Sequence, residues 1–123
     1  MGKDKIRILV VDDHTVVRQG LTALLSFHSD IEMVGEAGDG REAVEKARQI
    51  QPDVILMDIN MPAMDGIQAT RIIRSELSYV RIIGLSMNDK QDLADQMIQA
   101  GASAYCMKDG SIDELLSAIR RLD

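Results

Sequence analysis

Apolar runs of strand length and apolar positions at helical spacing alternate about five times along this chain. Ile6 to Val11 is a mostly apolar, β-branched run that ends in Asp12-Asp13, so it predicts a strand delivering acids at its C-terminal tip. Val17, Leu21, Leu24 and Leu25 then fall at i, i+4, i+7 and i+8, one face of a helix that Gly20 weakens without breaking. Glu32 to Ala37 predicts a weaker strand with Glu32 and Glu36 flanking Val34 on one face, a charge pattern that suits a sheet edge. Asp39-Gly40-Arg41-Glu42 has the form of a capped helix start, Ala43, Ala47 and Ile50 follow at helical spacing, and Pro52 closes the segment.

The stretch from Asp53 to Asp58 is the most informative. Val54 to Met57 gives four apolar residues in a row with no polar alternation, the mark of a strand covered on both faces, and it stops at a carboxylate on the strand's exposed tip. Asn60 and Met61-Pro62 then lead the chain away as a loop whose shape proline helps to set. Asp65 to Gln68 again has capping form, with Ala69, Ile72, Ile73 and Leu77 behind it. Arg81 to Leu85 predicts a fourth strand ending in Ser86, and Leu93, Ala94, Met97 and Ile98 a helix stopped by Gly101. Ala102 to Met107 predicts a fifth strand ending in Lys108, and Ser111 to Glu114 caps a helix carrying Ile112, Leu115, Leu116 and Ile119. Such alternation predicts one α/β domain over residues 1–123, a parallel sheet with helices on both faces.

Composition narrows the function classes. Fourteen Lys and Arg against twenty Asp and Glu leave a net charge of -6, and no basic cluster stands free of acids, which argues against direct nucleic-acid binding. Phe27, Tyr79 and Tyr105 are the only aromatics, too few for a base-stacking surface. No segment has the length of a membrane span or the form of a signal peptide, and Ile6 occupies the place where a myristoylation signal needs Ser or Thr. One cysteine, Cys106, allows no internal disulfide and lies in an apolar run, so a cytoplasmic protein with a thiol serving as a small hydrophobe is expected. Gly35, Gly38 and Gly40 lack the order of a dinucleotide fingerprint or P-loop and are expected in turns.

In a parallel sheet every strand brings its C-terminal end to one edge, where open α/β folds place their sites. That edge would collect Asp12 and Asp13, Asp58, Ser86 and Lys108 from four strands. Three adjacent carboxylates resist ionising together unless a cation holds them, and hard oxygen ligands without a zinc-type His/Cys set suit Mg²⁺. Lys108 and Ser86 suit phosphoryl oxygens, and an aspartate can attack phosphorus to form an acyl phosphate.

Asp12-Asp13, the block VILMDINMPAMDG, Ser86 and Lys108 together resemble the receiver domain of two-component response regulators, over essentially the whole chain. His14, GEAGDGREAVE and GASAYCMKD are similar to the NarL/FixJ-type subfamily. The resemblance implies a doubly wound, flavodoxin-like, CheY-like (βα)5 fold with strand order 2-1-3-4-5. It makes Asp58 the phosphoacceptor, Asp12, Asp13, Asp58 and the backbone carbonyl of Asn60 the site of Mg²⁺ or Mn²⁺, and Lys108 the phosphate-binding lysine. Ser86 and Tyr105 would be the switch pair, with Asn60 and Asn88 setting how readily water removes the phosphate. Two departures stand out: Asp109 rather than proline follows Lys108, and the switch hydroxyl is serine where threonine is commoner.

A sensor histidine kinase is the implied donor. Helical spacing through Leu115, Ile119 and Leu122 leads to an expected effector domain beyond this chain, a helix-turn-helix transcription regulator, and a phosphorylation-dependent homodimer is a further expectation. Two other classes stay open on the residues alone. A dehalogenase-type phosphatase would need a second aspartate where Asn60 stands, and a plain interaction module would neither bind Mg²⁺ nor take up phosphate.

Overall fold

The computed structural model describes residues 5–59, 64–86 and 91–121. Five strands, β1 (Ile6–Val11), β2 (Ile31–Ala37), β3 (Val54–Asp58), β4 (Arg81–Ser86) and β5 (Ala104–Met107), alternate with five helices. The helices are α1 (Thr15–Ser26), α2 (Gly40–Ile50), α3 (Gly66–Glu76), α4 (Gln91–Ala100) and α5 (Ile112–Arg120). All pairings are parallel and the order is β2-β1-β3-β4-β5, the flavodoxin-like arrangement.

β3 lies at the centre, and Val54 to Met57 are buried as their unbroken apolar run predicts. Its alternate side chains enter two cores. Ile55 and Met57 join Leu9, Ala43, Ile73 and Met97 beneath α2, α3 and α4, whereas Val54 and Leu56 join Ile8, Leu25, Leu115 and Ile119 beneath α1 and α5. The result is a three-layer domain whose sheet ends are held from both sides.

The caps are where the chain announces them. Asp39 accepts from the Glu42 N–H, Asp65 from the Gln68 N–H, and Ser111 from the Asp113 and Glu114 N–H groups. α4 ends with Gly101 at φ 119, its N–H bonded to the Ile98 carbonyl and that of Ala102 to the Met97 carbonyl. Because Ala102 completes that helix end, β5 starts at Ala104, two residues later than the apolar run suggests.

Two sequence expectations need correction. β2 is an edge strand, but an irregularity opposite Ile8/Leu9 pairs Glu32 with Arg7 and Glu36 with Val10. The extra residue breaks the period of two, so the two glutamates lie on opposite faces. Helical spacing also overstates the buried face: Leu24 is 51% exposed, and Ile98 and Ile112 are exposed as well.

Candidate functional site

The register of the sheet builds the site. Val11 pairs with Met57, and the next residue on each strand is an aspartate, Asp12 and Asp58. Ser86 follows Leu85, the partner of Asp58, and the Lys108 N–H donates to the Ser86 carbonyl at 2.9 Å as the ladder continues past β5. Four strand ends therefore deliver Asp12, Asp58, Ser86 and Lys108 to one edge, as the alternation predicts.

The expectation of an exposed acid at the tip of β3 is overturned. Asp58 is 2% exposed and Asp12 0%, and Ser86 is buried as well. The start of α3 packs closely against the end of β3, beside Asp58. The Lys108 ammonium lies between them, 2.6 Å from Asp12 Oδ2 and 3.3 Å from Asp58 Oδ1. The close approach to Asp12 Oδ2 is an ion pair between two buried side chains. Burial would push the Lys108 ammonium down, but Asp12 and then Asp58 more than reverse this and hold its pKa above the ordinary lysine value.

Asp13 and His14 form the outer rim. The His14 N–H donates to Asp12 Oδ1 at 2.8 Å, and its Nδ1 stands 3.1 Å from Asp12 Oδ1 and 3.1 Å from Asp13 Oδ1. One ligand atom from each of Asp12, Asp13, His14 and Asp58 falls within 4.8 Å of the others. Two buried carboxylates and the exposed one of Asp13 against a single ammonium leave an excess of negative charge, and hard oxygen donors of this kind fit Mg²⁺ or Mn²⁺. Asp12, Asp13 and Asp58 are the side chains placed to hold it.

Three supporting residues escape a reading of strand ends and periodicity. Arg18 on α1 donates from Nη1 to the Asp12 carbonyl at 2.7 Å and from Nε to Glu36 Oε1 at 3.0 Å, so it braces the acid pair against the edge strand. Gly66 opens α3 against the end of β3: a Cβ there would stand 2.1 Å from the Asp58 carbonyl oxygen. Its N–H bonds to the Ile59 carbonyl at 3.0 Å. Gly84 faces Tyr105 across β4 and β5, and a Cβ would lie 3.1 Å from the ring and 2.9 Å from Met97 Cε. The bare glycine thus makes the room in which Tyr105 packs beside α4. A glycine directly behind the Asp65 cap is the one local signal that could have flagged Gly66.

Asn60 and Asn88, expected beside the site, lie outside the described residues, as do Met61 and Pro62. Cys106 is half-buried against the α1 and α5 core, and burial pushes its thiol up, as expected of an inert packing residue. No helix among the described residues is long and apolar enough to cross a membrane.

A buried aspartate pair bridged by lysine thus lies at the C-terminal edge of a 2-1-3-4-5 sheet. The chain belongs to the response regulator receiver domain family, which it matches over residues 8–120. It is 48% identical to the transcriptional regulatory protein LiaR of Bacillus subtilis over 115 residues, 94% of this chain and 54% of that protein. Among solved structures it is similar to a LuxR-family two-component response regulator from Aurantimonas sp., at 37% identity and a TM-score of 0.89 over 94% of this chain and 83% of that one. It is also similar to the signal receiver domain of the putative response regulator NarL from Mycobacterium tuberculosis, at 36% identity and a TM-score of 0.87 over 97% and 100%. The chain spans about half the length of the curated relatives it matches. As a receiver domain it is a signalling switch, and receivers of this family hold Mg²⁺ at an acidic pocket of the kind Asp12, Asp13 and Asp58 form here.

Proposed function

We propose that Asp58 accepts a phosphoryl group from the phosphohistidine of a sensor histidine kinase, and that Asp12 and Asp13 share with it a divalent cation. The observation that carries this is the Lys108 ammonium set 2.6 Å from Asp12 and 3.3 Å from Asp58, a positive charge within reach of a group carried by Asp58. A carboxylate oxygen of Asp58 attacks phosphorus in line as the bond to the donor imidazole breaks. When bound, the cation supplies positive charge to the carboxylates and to the phosphoryl oxygens. Lys108 shifts its pairing from Asp58 to the transferred group, and the Ser86 hydroxyl donates to a second oxygen.

The output is a change of surface. Ser86 ends β4 and Lys108 follows β5, the two strands that carry Gly84 and Tyr105, so their movement towards the phosphoryl group repositions the ring against α4. A partner that favours the new surface then shifts the population. Asn60, through its carbonyl, completes the cation site, and Asn60 and Asn88 set the phosphate lifetime. Transcription regulation, which the names of the transcriptional regulators it resembles support, would run through a C-terminal helix-turn-helix domain, and a phosphorylation-dependent homodimer, a cytoplasmic setting and no direct nucleic-acid contact by this chain complete the proposal.

Incubation with acetyl phosphate and Mg²⁺ followed by intact mass measurement tests the chemistry. A single phosphate adduct is expected on the wild type and none on Asp58→Ala or in the presence of EDTA. An adduct that survives Asp58→Ala overturns the assignment.

A further inference from the structure

His14 lies at the head of α1 and turns its ring back over the acids. Its Nδ1 is 3.1 Å from both Asp12 Oδ1 and Asp13 Oδ1, and these atoms share a 4.8 Å cluster with one from Asp58. Around an octahedral divalent ion with bonds of about 2.1 Å, neighbouring ligands stand about 3.0 Å apart and opposite ones about 4.2 Å. The His14 nitrogen therefore stands at neighbouring-ligand distance from an oxygen of Asp12 and one of Asp13, and the set that includes Asp58, spanning up to 4.8 Å, needs only a small contraction to form one shell. The backbone holds them there, since the His14 N–H closes a tight turn onto Asp12 Oδ1 at 2.8 Å. Lys108 does not compete for the same edge: it contacts Asp12 through Oδ2, whereas His14 contacts Oδ1.

We propose that His14 Nδ1 is a ligand of the divalent cation at this site and shifts its preference from Mg²⁺ towards Mn²⁺, Co²⁺ and similar borderline ions. This rests on the reading that Asp12, Asp13 and Asp58 hold a cation. Mg²⁺ gains little from replacing a water oxygen by imidazole, whereas later divalent ions gain more along the series from Mn²⁺ to Co²⁺ and Ni²⁺. In the metal-free protein the Nδ1 proton can bridge the two carboxylates. Ligation moves the ring proton to Nε2 and turns the Nδ1 lone pair to the cation, an exchange that solvent can mediate for a side chain 66% exposed.

The test is pulsed EPR of Mn²⁺ bound to the chain carrying no added histidines, with Co²⁺ and Mg²⁺ affinities measured by competition. Wild type is expected to show coupling to an imidazole nitrogen. His14→Ala is expected to lose that coupling and to lower the Co²⁺ to Mg²⁺ affinity ratio by about tenfold, with Mg²⁺ affinity itself changing less than about threefold. His28→Gln, which removes the other histidine, is expected to keep the coupling. Mn²⁺ bound without nitrogen coupling, or an affinity ratio unchanged in His14→Ala, overturns the ligand and leaves the acidic site standing. Failure of wild type to bind Mn²⁺ at all overturns both.

Discussion

At the residue scale, Asp12 and Asp58 illustrate why a buried carboxylate needs its surroundings. Two acids removed from water beside each other are tolerated because Lys108 neutralises part of the charge, and removing that ammonium would leave them uncompensated. Arg18 acts one step further out, through the Asp12 carbonyl. Arg18→Ala is expected to weaken Mg²⁺ binding about tenfold, with lysine at this position restoring part of it, as calorimetric titration of the two variants will show. Gly66 is a steric requirement, since a Cβ would overlap the Asp58 carbonyl oxygen. Gly66→Ala is expected to cost about 3 kcal/mol in urea denaturation, because the clash is with backbone that cannot move aside. Nothing in local periodicity marks Arg18: its value comes from an edge strand 18 residues later that folds back beside it.

At the scale of elements, capping was the most legible feature. Asp39, Asp65 and Ser111 each cap the helix that their sequence form announces, because a cap is decided within four residues. α2 adds a pH dependence. Glu42 accepts from the Gly38 N–H at 2.7 Å, which holds its carboxyl below the ordinary glutamate value, with Lys46 contributing a smaller effect. A lowered folded pKa means stability that is fully present above the ordinary value and lost as pH falls through the lowered one. Glu42→Gln is therefore expected to flatten the acid limb of a pH–stability curve, by about 0.5 kcal/mol for so exposed a group, and to leave its slope above neutrality unchanged. The faces of β2 and the width of the α1 stripe were not legible in the same way. A residue inserted in a strand, or a leucine left at a helix margin, depends on what packs opposite.

At the scale of the whole molecule, the strand order decides the chemistry, since β1 and β3 are neighbours although α1, β2 and α2 separate them in the chain. A site made from such distant segments should couple ligand binding to global stability. Mg²⁺ at a hundred times its Kd is expected to stabilise the wild type by about 2.7 kcal/mol in thermal or urea unfolding, and Asp13→Asn is expected to lose most of that gain. By itself the sequence determined the five strands, the five helices, the caps of α2, α3 and α5 and the residues that reach the strand ends, because each follows from periodicity and chemistry within a few residues. The family resemblance supplied the roles. Only the tertiary structure decided that Asp58 is buried rather than exposed, that Lys108 bridges it to Asp12, and that Arg18, Gly66 and His14 complete the surroundings. Those facts depend on contacts between segments far apart in the chain, where the distance of closest approach is set by packing and not by local pattern.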